Sequence, residues 1–119
     1  VFHQESASDF ECTALTQLIH YHLNQEDEEE IQRYCEDMWN LLNFGKLDMT
    51  NVEPIKAWWA CYLGLRALGD ARAETALRTA AELFRTQRDQ IDDEAWREQF
   101  STQIVEHAAL LKTLTVLNL

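Results

Sequence analysis

Hydrophobic residues return at helical spacing along almost the whole chain. From Asp9 to Leu23, the positions Leu15, Leu18, Ile19 and His22 fall at i, i+3, i+4 and i+7, with Ser8 or Asp9 available as a cap. The acidic run Glu26-Asp27-Glu28-Glu29-Glu30 opens a second helix, whose Ile31, Tyr34, Cys35, Met38, Leu41 and Leu42 make one stripe that ends near Phe44-Gly45. Carboxylates at that place suit the positive end of the helix dipole. Polar residues from Lys46 to Asn51 form a loop, Asn51 can cap, and Pro54 sits in a first turn where its missing N–H costs nothing. The third helix, over about 52 to 68, carries Ile55, Trp58, Trp59 and Tyr62 on one side and Ala57, Cys61, Leu65 and Leu68 on the other. With Lys56 and Arg66 as its charges, its neighbours must cover most of its surface.

Gly69-Asp70 ends this helix, because glycine supplies a left-handed residue and Asp70 caps the next one. That fourth helix runs to about Gln90, with Ala73, Ala76, Leu77, Ala80 and Phe84 inward and Arg72, Glu74, Arg78, Glu82 and Arg85 toward solvent. A fifth is capped at Asp92 or Asp93 and turns Trp96, Phe100 and Ile104 inward. The last holds Val105, Ala108, Leu111 and Leu114, and the tail Leu117-Asn118-Leu119 is expected to fray. Three Gly and one Pro are too few for the hairpins of an all-β fold. The fold class is therefore all-α, in one domain. Helix pairs joined by short turns fit either a bundle or stacked hairpins, and periodicity does not choose.

A resemblance chooses. Glu53-Pro54, Trp59-Ala60-Cys61-Tyr62 and Leu65-Arg66-Ala67-Leu68-Gly69-Asp70-Ala71-Arg72-Ala73 are followed by Leu77, Ala80, Leu83 and Ile91-Asp92-Asp93-Glu94. Arg97, Phe100, His107 and Leu110-Leu111 complete the order. Residues 53 to 112 so resemble the C-terminal tetratricopeptide-like region of large bacterial signalling and regulatory proteins, where ATPase, cyclase or protease modules supply the catalysis. Cys61 stands near the repeat's usual small position, and Gly64 lies within a helix. The resemblance implies stacked antiparallel hairpins in a right-handed superhelix: an acidic first hairpin at 9–44, a repeat-like one at 52–90 and capping helices at 92–117. It further implies a non-catalytic interaction or regulatory scaffold that binds a protein or peptide, or another domain of its parent, between hairpins. The chain opens at Val1 with no initiator Met, so upstream sequence is expected.

Candidate partner-binding residues come from the third and fourth helices. Adjacent helical residues differ by 100°, so Trp58 and Trp59 either both pack or leave one indole lining a groove beside Tyr62. Arg66, Arg78 and Arg85, with Arg72 and Arg88, either receive an acidic partner segment or form a solvated face.

Charge and cysteines narrow the classes. The net charge is −11, and residues 1–53 hold twelve acids against two bases. Such a surface lacks the basic face that phosphate-backbone binding needs, so no direct nucleic-acid partner is expected. The same acidity allows an alternative, an acidic decoy that mimics nucleic acid and binds a basic protein. No stretch has the ~20 apolar residues that span a bilayer, and no export signal opens the chain. Cys12, Cys35 and Cys61 are odd in number and set among apolar neighbours, which reads as buried free thiols in a cytoplasmic protein, with redox sensing as the alternative. His20 and His22 point apart on a helix, and the run at 26–30 lacks a calcium loop's spacing, so no metal site is expected. Asp92-Asp93-Glu94 stand where a cap belongs. No phosphate-loop, nucleophile-elbow or zinc-protease motif occurs, and neither catalytic residues nor a cofactor are expected.

Overall fold

Each turn between helices is built by a specific stop and start, and these set the hairpins. The computed structural model describes residues 7–45, 47 and 53–119, and among them the regular structure is entirely helical. The helices are α1 (Ala7–Gln25), α2 (Glu28–Phe44), α3 (Pro54–Ala67), α4 (Arg72–Asp89), α5 (Glu94–Thr102) and α6 (Val105–Leu117). The expected cap Asn51 and most of the loop at 46–51 lie outside the described residues.

Three helices end in the same way. At α3, Gly69 takes φ +68°, its N–H donates to the Arg66 carbonyl and that of Asp70 to the Leu65 carbonyl. These are the two bonds of a Schellman stop. At α6 the left-handed residue is Asn118 (φ 61°), with Asn118 N–H donating to the Thr115 carbonyl and Leu119 N–H to the Leu114 carbonyl. The tail, expected to fray, is here closed onto α6 by these two hydrogen bonds. At α1 the left-handed residue is Glu26 (φ 56°), with bonds to the Leu23 and His22 carbonyls. The acidic run is therefore split. Glu26 stops α1, Asp27 caps α2 by accepting from the Glu30 N–H, and Glu28–Glu30 form the first turn. The expectation that all five acids open the second helix is corrected. So is the expected cap at Ser8 or Asp9, since α1 already includes both and Asp9 is buried.

Pro54 begins α3, and nine of that helix's residues are buried, from Ile55 to Leu65. It packs against α1, α2, α4 and α6. Gly64 makes this closeness possible: a β-carbon there would stand 2.2 Å from the Cys35 sulfur on α2. Among the described residues the backbones of α1 and α2 do not pack on those of α4 or α5, whereas α6 packs on both α3 and α4. A closed bundle would bring the first helix back onto the fourth. Here one hairpin is instead laid on the next, in a flat body of 45 × 43 × 23 Å.

The core follows the expected stripes of α2, α3 and α4, with Ile31, Cys35, Met38, Leu65, Leu77 and Phe84 buried. The C-terminal helices differ. Trp96 is 66% exposed and Val105 78%, whereas Ser101, His107, Leu110 and Leu114 are buried. α5 is anchored by Phe100 alone of its expected inward aromatic pair, stacked on Phe84 at 5.5 Å, and α6 is rotated so that His107 faces inward. Arg72, expected on a solvated face, reaches back to Glu36 on α2 and to Asp70. Glu74 and Arg78, four residues apart on that solvated face, form an ion pair at 2.9 Å.

Candidate functional site

α3 is the axis around which the candidate residues are arranged. Trp58 and Trp59 are both buried, at 8% and 6% exposure. Trp58 meets the edge of Trp39 on α2 at 5.9 Å, and Trp59 leans on Tyr62 at 5.3 Å. Both indoles are thus taken up by packing, that of Trp58 across the seam to α2 and that of Trp59 beside Tyr62 on its own helix. Tyr62 is also largely buried, but its edge reaches a surface depression.

That depression lies between α3 and α6 and has a volume of about 470 Å³. Tyr62 and Arg66 line it from α3, and Lys112, Thr113, Val116 and Leu117 from α6. Arg66 and Lys112 make no ion pair among the described residues, and no acid lines the depression. Val116 and Leu117 are 74% and 50% exposed beside them. Two unneutralised cations flanking apolar surface form an uncommon spot on a chain of charge −11. Sequence reasoning misses Lys112, Val116 and Leu117, although helical spacing alone sets Lys112 and Val116 one turn apart on one face.

The other two candidate arginines lie elsewhere. Arg78 and Arg85 line a depression of about 420 Å³ between α4 and the end of α6. Arg78 is paired with Glu74, and Arg85 donates to the Leu119 carbonyl at 2.8 Å. These two are engaged by the chain itself and stand apart from Arg66 and Tyr62.

The histidines and cysteines are placed by packing. His107 is buried, its Nδ1 is 2.7 Å from the Phe100 carbonyl, and its ring lies against Phe84 and Phe100. A carbonyl oxygen only accepts, so Nδ1 is the donor in that contact. His22 stacks on Tyr34 at the α1–α2 turn, with Asp27 at 3.7 Å. Cys12, Cys35 and Cys61 are free and buried, and desolvation pushes their thiols up to about 11, 11 and 12. They are protonated at neutral pH, which makes them poor nucleophiles. Among the described residues no group of three His, Cys, Asp or Glu side chains is placed to hold a metal ion. No described helix is long and apolar enough to cross a membrane.

No protein-family model, curated protein or solved structure matches this chain.

Proposed function

We propose that this chain is a non-catalytic protein-interaction module of tetratricopeptide-like stacked hairpins, and that it takes an acidic, amphipathic segment of a partner in the depression between α3 and α6. The observation that carries the reading is the pair of unneutralised cations Arg66 and Lys112 beside exposed Val116 and Leu117. A carboxylate-bearing segment satisfies both cations, while its apolar side chains cover the α6 surface and the edge of Tyr62. The volume suits a few side chains of a peptide. Hairpin-on-hairpin packing supports the superhelical reading, because in a stacked array each hairpin touches only its neighbours, as the backbones of α1 and α2 pack on that of α3 and not on those of α4 or α5.

Another domain of a longer parent chain and a separate protein can present the same chemistry. The test is capture of binding proteins with the wild-type chain and with Arg66→Glu/Lys112→Glu, on a matched amount of folded protein. A partner retained by the first and lost by the second supports the reading. A partner retained equally by both places the site elsewhere.

A further inference from the structure

The donors around the depression between α3 and α6 are more numerous than one carboxylate can use. Of its six lining residues, Tyr62, Arg66, Lys112 and Thr113 are polar, and each carries an N–H or O–H donor. Two of them are cations from different helices, and no carboxylate of the chain stands among them. Thr113 is uncommitted. The hydroxyls of Thr13, Thr16, Thr79, Thr102 and Thr115 all donate back to the carbonyl four residues earlier. Among the described residues Thr113 makes no such bond, although it is half-buried and lines the depression. Lys112 precedes it on α6, and Val116 and Leu117 follow at i+3 and i+4, so ammonium, hydroxyl and apolar surface share one side of the helix.

We infer, on the reading of this depression as the partner site, that the acidic group taken between Arg66 and Lys112 is a phosphorylated serine or threonine of the partner segment, with the Thr113 hydroxyl as a further donor to it. The match is one of charge and of acceptors. A carboxylate brings a single negative charge and two oxygens in one plane, which satisfies one of the two cations. A phosphomonoester brings about −1.5 to −2 charges at neutral pH and three terminal oxygens spread in space. It therefore neutralises both cations at one point and still accepts from a hydroxyl. The Arg66 guanidinium suits a side-by-side pair of those oxygens, and the Lys112 ammonium acts on the group as a point charge. Elsewhere a chain of −11 repels a dianion, so the unneutralised pair is where one can settle. Val116 and Leu117 cover the apolar neighbours of the phosphorylated residue, a contact that free phosphate cannot make.

Fluorescence anisotropy tests this on the folded chain, with circular dichroism to check each variant. The probe is a helical peptide with leucines at i, i+3 and i+4, neutral elsewhere, and phosphoserine, Glu or Ser at one position beside them. The phosphoserine peptide is expected to bind about tenfold tighter than the Glu peptide, and the Ser peptide to bind weakest. Lowering the pH from about 7.5 to about 5.5 should narrow that preference, because a phosphomonoester takes up its second proton near pH 6 while Glu stays ionised. Thr113→Val is expected to weaken phosphoserine binding several-fold and to leave Glu binding unchanged, and Arg66→Gln/Lys112→Gln to abolish both. Inorganic phosphate should displace the peptide only at about a hundredfold or more above the peptide's Kd, and displacement at equal concentration would overturn a peptide as the source. Equal binding of the phosphoserine and Glu peptides overturns the phosphate preference and leaves the acid-selective site standing, whereas binding of neither overturns both. A preference that Thr113→Val leaves unchanged overturns the assignment of that hydroxyl, and one that Arg66→Gln/Lys112→Gln leaves unchanged overturns the site.

Discussion

Arg72, at the start of α4, is bonded to Glu36, near the middle of α2, and this pair ties the first hairpin to the second across 36 positions of chain. Asp70 completes the arrangement. Its carboxylate accepts from the Arg72 backbone N–H at 2.8 Å and from the guanidinium at 2.8 and 3.1 Å, so one side chain both caps α4 and aims Arg72. The guanidinium also lies over the Trp39 ring at 5.4 Å, and Trp39 meets Trp58. A charged network at the surface thus continues into the aromatic seam between the hairpins.

Arg72→Met is expected to destabilise the fold by about 1–2 kcal/mol, a charge-assisted bond discounted for its half-exposed setting. Arg72→Lys is expected to recover little of this, because a point ammonium does not reproduce the fork that holds both carboxylates. Urea denaturation of the two variants and wild type measures the difference.

The same network sets an acid limb. Hydrogen bonds from Arg72 hold the Asp70 carboxyl below its ordinary value of 3.8. A depressed folded value means stabilisation that is complete above the unfolded value and is lost as pH falls through the folded one. Melting temperature should therefore drop below about pH 4 more steeply in wild type than in Asp70→Asn. Equal slopes would detach Asp70 from acid stability.

The thiols set an alkaline limb of opposite sign. With folded values of about 11 to 12 against 9.0 for an ordinary thiol, their contribution is complete below pH 9 and is lost as pH rises toward 12. Stability should fall over that window, and less so with Cys61→Ala. Native thiols should react with a soluble disulfide reagent at the rate of unfolding, and fast labelling of all three at neutral pH would contradict their burial.

Gly64→Ala should cost about 1–3 kcal/mol although alanine favours helix, because its β-carbon meets the Cys35 sulfur. Cys35→Ala removes that atom, so the double variant should be more stable than the sum of the singles predicts. Additive costs would show that the two helices are not held at that distance. At Glu26, a non-glycine residue with φ 56°, substitution to Gly is expected to raise stability by about 0.5–1 kcal/mol.

How far the sequence foretold this molecule depends on how unambiguous its stripes were. α2, α3 and α4 carry long apolar stripes or near-continuous apolar surface, and their buried sets match the spacing. α5 has only nine residues, with Trp96 and Phe100 too few to define a face, and α6 is apolar on several sides, so the spacing of Trp96 and Val105 fits an inward face as readily as the outward one they take. Gly64 is an unfavourable residue for a helix interior and Arg72 reads as solvated, and both are explained by contacts with α2 that no local pattern contains. At the candidate site Arg66 and Tyr62 were visible from α3 alone. Lys112 and Val116 were not, because the depression exists only where α6 returns beside α3.

The most direct measurement of the central claim is amide chemical-shift mapping of the folded chain titrated with three peptides of one amphipathic pattern, whose charged positions are all acidic, all neutral or all basic. The acidic peptide alone is expected to shift residues around Tyr62, Arg66, Lys112 and Val116, and Arg66→Glu/Lys112→Glu to abolish those shifts. Equal binding of all three peptides, or shifts confined to other faces, would contradict an acid-selective site between α3 and α6.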